Sequence, residues 1–436
     1  MKISVEQPRG EGGPARRIES TVDRDTVAEL LGTSLLTPGT SLEGIEPIYA
    51  RVKGSDGNLV AYEARIRTPN GVVARTVSVR SGPIGRLVSQ AGRFRDPRGA
   101  SWTAPLRPCF LDRKRGLLLI ASPLDRALPD LRRVLKTKWV RRTLSAAGIL
   151  ADHSGRMRRR RSTLTLMSYR PERRAVVRLD ARFVGERQGR TLFLRLHADP
   201  AFAEASEHAL RALSEVGGPV PVHLGRPLPH LAVESGCVGE PLDGRTLCRS
   251  ELARSVGRVL ARVHSSAVPG GMTVRENAEV AESGLACAAR LAEIHPELGR
   301  RAVALATELT TVRPDTVTPR LLHGDLHPAQ FLVDGESVVL IDWDRSHAGH
   351  PASDLGTLRA RLALEAGSDG ILAFSEILSA YGEVAPAPSR EAIHWHEAHA
   401  LLRLLDSPFR RLAEDWVAHT NRIIERLEEA ACSVSD

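Results

Sequence analysis

Aromatic residues are scarce, at 4% of the chain, and the five cysteines (Cys109, Cys237, Cys248, Cys287 and Cys432) show no paired spacing. The first shortage leaves no interleaved rings on which single-stranded nucleic acid could stack. The second excludes a zinc ribbon and a disulfide framework, and it fits a reducing cytoplasm, the expected location. No run approaches the roughly 20 apolar residues that span a bilayer. The opening MKISVEQPRGEGG has no apolar core, so neither membrane association nor a secretory leader is expected.

What is present reads as a globular protein. Hydrophobic residues make up 42% and charged residues 26% of 436 positions, too many for one compact core, so two or three structural units are expected. The net charge is +9, with arginine heavily preferred over lysine. A basic surplus suits an anionic ligand such as a nucleotide or an acidic peptide. The densest run, RMRRRRS, carries Arg156 and Arg158 to Arg161. It reads equally as a solvated linker or a binding patch, and nucleic acid is not among the expected partners.

Residues 1–20 lack periodicity and read as a disordered lead-in. TVAELLG (26–32) reads as a short helix. Three alternating runs follow, EPIYARVK, LVAYEARIRT and VVARTVSVR, separated by the turn sequences GSDGN and PNG. A helical PIGRLVSQAGRF, a strand-like RPCFLDRKRGLLLIAS and helical LDRALPDLRRVLK and WVRRTLSAAGIL complete this part. After the arginine run the pattern restarts with LTLMSYR, AVVRLDARFV and TLFLRLHA, then a helix, AFAEASEHALRALSEV, and two further strands. The spacing suggests an internal duplication offset by about 115–120 positions. From SELARSVGRVLARVHSS onward the apolar period is helical, apart from 320–345.

That exception, LLHGDLHPAQFLVDGESVVLIDWDRSHAGHPASDLG (321–356), carries the chemistry. HGDLHPAQFL is a short turn presenting Asp325, with Gln330 five positions on. SVVLIDWD is a β-branched strand ending in Asp342 and Asp344. The turn DGE joins the halves as a hairpin, so oxygen-bearing side chains converge at one end. Phosphoryl transfer is mostly positioning and charge neutralisation. An Asp accepts the acceptor's hydroxyl proton, and an amide oxygen with a carboxylate suits Mg²⁺. The kinase catalytic-loop spacing, Asp followed five residues later by Asn, is met by Asp325 and Gln330.

The segment resembles the aminoglycoside phosphotransferase / choline kinase group, whose pattern reads HGD-hydrophobic-H-P-x-N, then IDW/F-[DE], then G-x-P-x-x-D. The resemblance implies a fold over about residues 160–432, with Asp325 as catalytic base, Asp342 as metal-binding acid and Asp354 as a buried brace of the catalytic loop. His323 and His327 flank the base in orienting roles, and Asp344 supports the same end. Gln330 stands where the family carries Asn; it keeps the amide oxygen. The family's strand lysine corresponds to Arg195, paired with Glu207 or, failing that, Glu204. Arginine keeps the charge but donates in a planar fork. No glycine-rich phosphate loop is present, and YRPERRA offers Arg170, Arg173 and Arg174 in its place. The hinge that meets adenine is expected around Glu234 to Cys237. His264 reads as packing, and His394, His396 and His399 read as a surface or cleft-lining helix.

The expected fold class is α+β: a protein-kinase-like bilobal fold, with a small antiparallel sheet lobe (160–240) and a mostly helical lobe (241–436). An additional N-terminal α+β domain (21–150) resembles a degenerate kinase amino-terminal lobe. That domain is expected to bind no nucleotide, since no acid on its helix could pair with a basic residue near Ser78–Arg80. Its role would be architectural, or a surface for acceptor or partner protein. The expected activity is ATP- and Mg-dependent transfer to a hydroxyl on a small molecule or natural-product intermediate. A Ser/Thr kinase of a ribosomally made peptide and a non-catalytic binding module are the alternatives.

Overall fold

The three early alternating runs form one antiparallel sheet. Strands β1 (Ser41–Val52), β2 (Asn58–Thr68) and β3 (Gly71–Ser81) make a meander, and β4 (Cys109–Asp112) and β5 (Leu117–Ala121) extend it in the order β1-β2-β3-β5-β4. The computed structural model describes residues 23–52, 57–94, 100–150, 156–312 and 314–435. The expected lead-in, 1–20, lies outside the described residues. RPCFLDRKRGLLLIAS is two strands rather than one, because the chain reverses at Gly116 in the left-handed region (φ 66°). Helix α1 (Arg24–Leu30) precedes the sheet, and α2 (Ile84–Gly92) lies between β3 and β4. Leu87 and Ala91 of α2 pack on Leu118 and Ile120 of β5. LDRALPDLRRVLK is helical only over Leu131–Val134, and WVRRTLSAAGIL gives α3 (Thr137–Ala146).

The second sheet repeats the first. Strands β6 (Thr163–Arg170), β7 (Arg174–Ala181), β8 (Arg190–His197), β9 (His223–Leu228) and β10 (Leu231–Ser235) run in the order β6-β7-β8-β10-β9. Helix α4 (Pro200–Glu215) again follows the third strand. Asp199 caps it, accepting from the Ala201 N–H, and Pro200 occupies the first turn, where a missing N–H is harmless. The register makes the repeat residue-specific. Leu196 pairs with Leu231, the first residue of β10, and Ser81 pairs with Leu117, the first residue of β5. Arg195 and Arg80, 115 positions apart, therefore hold the same place in their sheets.

The rest is helical: α5 (Ser250–Ser265), α6 (Asn277–Ile294), α7 (Pro296–Leu309), α8 (Ala352–Gly382), α9 (Arg390–Leu404) and α10 (Trp416–Ser435). Between α7 and α8 lie the hairpin β13 (Phe331–Asp334) and β14 (Ser337–Leu340), joined by β11 (Glu240–Pro241) from before α5 in the order β11-β13-β14, and the pair β12 (Arg320–Leu322) and β15 (His347–Gly349). Leu321, Leu326, Phe331, Trp343, Leu355 and Leu358 are buried in one core with α5 and α8, which fixes this loop-rich segment. Among the described residues no helix is long and apolar enough to cross a membrane.

The contacts divide the chain into two compact units, 1–136 with 168–175 and 407–419, and 137–167 with 176–406 and 420–436. The turn 170–174, placed by the sequence in the second sheet's lobe, thus belongs with the first unit. The reason is local. Asp125 accepts hydrogen bonds from the Tyr169 hydroxyl (2.9 Å) and the Glu172 N–H (2.7 Å), and Glu172 pairs with Arg80.

Candidate active site

Strand β12 delivers the chain into the HGD turn, and the N-terminus of α8 receives it. Asp354, in the first turn of α8, is 1% exposed and accepts from the N–H of His323 (2.7 Å) and of Gly324 (2.9 Å). His264 Nε2 reaches the same carboxylate at 3.3 Å, and its Nδ1 meets the Tyr381 hydroxyl at 3.1 Å. Burial pushes the Asp354 carboxyl up in pKa, but the bond and charge of His264 and the N–H donors outweigh it and hold it at about 2. Sequence assigned His264 to packing alone; it is buried, and it also fixes this carboxylate.

Gly324 has φ 81°, and a Cβ there would collide with the Arg345 carbonyl. Glycine is needed for both reasons. His323 donates from Nε2 to the Ile341 carbonyl (2.8 Å), stacks edge-on against Trp343 and accepts from the Asp325 N–H at Nδ1 (3.4 Å). The turn is therefore held from both ends.

Asp325 points out of it, its side chain 41% exposed, with Arg345 Nε at 3.5 Å. Burial raises its pKa, but Arg345 and Arg361 overcome this and hold it below the usual carboxylate value. Asp325 also acts on Arg403, whose pKa burial pulls down to about 10. Burial and Arg361 lower His327 to about 4, so it is neutral at pH 7. The arginines around the carboxylate escaped the sequence reading, although Arg345 directly follows IDWD.

Asp342 follows β14 in the left-handed region (φ 70°), unusual for a non-glycine residue and a place where strain is stored. One carboxylate oxygen accepts from Arg195 Nη1 at 2.5 Å, the other from the Gln330 amide at 3.3 Å. Gln330 is 5% exposed and also lies 3.1 Å from His327 Nε2. Asp344 is buried, with its oxygen 3.4 Å from the same Arg195 nitrogen.

The expected Arg195–Glu207 pair is not formed. Arg195 Nε instead donates to Glu234 at 2.9 Å, and Ser206 holds the other Glu234 oxygen at 3.0 Å. Glu207 is taken by Arg226 (2.7 Å) and Arg211 (2.8 Å), which turn it away. Strand order decides this: β8 lies beside β10, so Arg195 faces Ala232 and reaches Glu234 within the sheet. Glu234 sits one residue before the end of β10. It is 2% exposed, its strand is flanked by β8 and β9, and its carboxylate is spent on Arg195. Cys237 lies beyond the strand end, half-buried, and burial raises its thiol pKa.

A magnesium ion fits this donor set. Mg²⁺ takes hard oxygens, one or two from protein carboxylates and the remainder from phosphate and water. Asp342, Asp344 and the Gln330 amide are such groups. Gln330 would turn its amide by half a rotation to present oxygen rather than nitrogen, two orientations of nearly identical shape. Among the described residues no cluster of three or more His, Cys, Asp or Glu is arranged for a metal. On α9, expected at the surface or lining a cleft, His396 and His399 are fully buried instead, among Trp395 and His350.

The family model described as "Phosphotransferase enzyme family" matches residues 177–415, more than half of the chain. The chain belongs to this family. Among solved structures, the phosphotransferase is similar to macrolide 2'-phosphotransferase MphH from Brachybacterium faecium at 22% identity, over 65% of this chain and 96% of that one, with a TM-score of 0.43. A choline/ethanolamine kinase family protein from Mesorhizobium loti is 18% identical over 67% and 94%, with a TM-score of 0.45. An amicoumacin kinase, hAmiN, solved with AMP-PNP, Ca²⁺ and Ami, is 17% identical over 61% and 88%, with a TM-score of 0.47. No curated protein matches the phosphotransferase. The family match carries its membership; the structural likenesses at these identities add nothing about its substrate.

Proposed function

We propose that this phosphotransferase moves the γ-phosphoryl group of ATP, with Mg²⁺, to a hydroxyl on a small neutral or anionic acceptor. The observation that carries the reading is the meeting of Asp342 and Gln330 at one end of the β13–β14 hairpin, 3.3 Å apart, beside a turn that presents Asp325. Asp325 accepts the acceptor's proton, and its lowered pKa keeps it ionised for that task. Asp342 and Gln330 would hold the metal, with Asp344 behind them, and a bound Mg²⁺ neutralises charge on the transferring phosphate. Arg195 fixes Asp342 and supplies positive charge beside the phosphates. His323 and Asp354 hold the turn, and His327 orients Gln330. The backbone from Glu234 to Cys237 would meet adenine.

The charge around Asp325 favours the choice of acceptor. Arg345, Arg361 and Arg403 all feel its carboxylate. A polycation would be repelled there, and a neutral or anionic molecule would not. A non-catalytic role is disfavoured by an acid set kept complete at Asp325, Asp342 and Asp354.

The test is intact-mass analysis of neutral, anionic and cationic hydroxyl compounds incubated with Mg-ATP. Neutral or anionic compounds should gain a phosphoryl group, and the Asp325→Asn variant should give none. Phosphorylation confined to polycationic compounds would overturn the acceptor class.

A further inference from the structure

The first unit contains a cavity of about 550 Å³ lined by five arginines: Arg51, Arg80, Arg86, Arg93 and Arg126. Every lining residue belongs to that unit. Among the described residues lining it, the single acid is Glu172. The neighbouring acid, Asp125, is engaged by the Tyr169 hydroxyl and by the N–H groups of Ala127, Leu128 and Glu172. One carboxylate among five guanidiniums leaves the lining strongly positive. Such a concentration in a concave, partly water-shielded place is unfavourable without an anion to answer it.

Two buried donors make the place a built one. The Ser81 hydroxyl is 5% exposed, lines the cavity and makes no hydrogen bond among the described residues. The Nε of Arg80 is buried and likewise makes none. Arg80 is aimed by the Gln90 side chain of α2, 2.7 Å from its Nη1. It occupies the sheet position that Arg195 holds in the second sheet. Gln90 stands on the helix after that strand, and that helix itself carries no acid. Basic donors converge here, but among the described residues the lining holds no set of carboxylates that would form a metal platform.

We propose that this cavity is a second ligand site, separate from the catalytic centre, for a compact molecule bearing two or more phosphate groups and no base. Guanidinium forks match phosphate oxygens two at a time, which is why arginine rather than lysine suits the place. The volume lies in the range of small-molecule sites, about 300–1,000 Å³, and is too small for a folded partner. Among the described residues no aromatic side chain lines it, so none of them stacks a nucleobase. An entering phosphate meets the Ser81 hydroxyl and Arg80, and competes with Glu172 for the same guanidinium.

The test is calorimetry of inorganic pyrophosphate binding to the full chain in magnesium-free buffer with chelator. One pyrophosphate should bind per chain. Arg86 on α2 and Arg93 just after it are exposed, so an Arg86→Ala/Arg93→Ala double variant keeps its fold and should bind roughly tenfold or more weakly. An Arg159→Ala/Arg160→Ala control, carrying the same change in net charge at exposed positions, should bind as the parent does. Asp342→Ala should leave pyrophosphate affinity unchanged, because its site is elsewhere. Equal weakening in both double variants would reduce the effect to net charge and overturn the proposal. A change with Asp342→Ala alone would move the binding to the catalytic centre, with the same consequence. ADP binding tenfold more tightly than pyrophosphate through the same arginines would overturn the exclusion of a base.

Discussion

Replacing Asp354 with alanine removes one carboxylate that serves three donors. The N–H groups of His323 and Gly324, at 2.7 and 2.9 Å, lose their acceptor in a buried place, and His264 loses its partner at 3.3 Å. A buried donor left unmade costs about 1–3 kcal/mol, so the three sum to about 3–9 kcal/mol. At roughly 2–4 °C per kcal/mol the unit carrying the site should melt roughly 10 °C or more lower. Asp354→Asn keeps one acceptor oxygen and should recover about half of the loss. The pH dependence follows from the folded pKa of about 2 against about 3.9 in an unfolded chain. This stabilisation is complete above about pH 4 and fades as the pH falls toward 2, because the unfolded chain takes up the proton first. Thermal melts followed by circular dichroism, with phosphoryl transfer measured alongside, read both effects. An Asp354→Ala variant melting within about 1 °C of the parent, with undiminished turnover, would refute the brace.

Three further outcomes follow from the same geometry. Gln330→Asn should retain activity, since it keeps an amide oxygen, and Gln330→Leu should lose it; a leucine variant with parental turnover would remove residue 330 from the metal site. Arg195→Met strands Glu234, Asp342 and Asp344 in the interior and should cost about 3–5 kcal/mol in urea unfolding, whereas Arg195→Lys keeps the charge and should lose less; equal losses would show that charge is irrelevant there. The buried histidines make the second unit acid-sensitive: His399 is lowered to about 3 and His394 to about 4, burial being the main cause. Stability should therefore be steady above pH 6.5 and fall below it, by up to about 1.4 kcal/mol per pH unit for each such group, and a urea midpoint flat from pH 7 to 5 would contradict this.

The convergence of side chains along 321–356 was legible in the sequence because the pattern is local. HGD, the DGE turn and IDWD are within a few dozen residues, and a short hairpin leaves little freedom in where their side chains meet. The sheet duplication was legible too, since alternation and turn residues mark each strand, and β1 to β5 and β6 to β10 share one order. The partner of Arg195 was not legible. It depends on β8 lying beside β10, a long-range choice, whereas the helix acid Glu207 was already claimed by Arg211 one turn on, a pairing the i,i+4 spacing could have revealed. The arginine cavity was hidden for the same reason: Arg51, Arg80, Arg93 and Arg126 come from separate elements and converge only in three dimensions. The buried α9 misled because histidines at helical spacing look polar, yet nearly every face of that helix is covered.

The central claim is a division of labour: Asp342 holds the metal nucleotide, while Asp325 acts on the acceptor. Calorimetry of the non-hydrolysable analogue AMP-PNP, with and without Mg²⁺, tests it on three proteins. The parent should bind in a magnesium-dependent manner, Asp325→Asn should bind nearly as well while transferring nothing, and Asp342→Ala should lose the magnesium-dependent part. Unchanged magnesium-dependent affinity in Asp342→Ala, or full turnover in Asp325→Asn, would contradict the account.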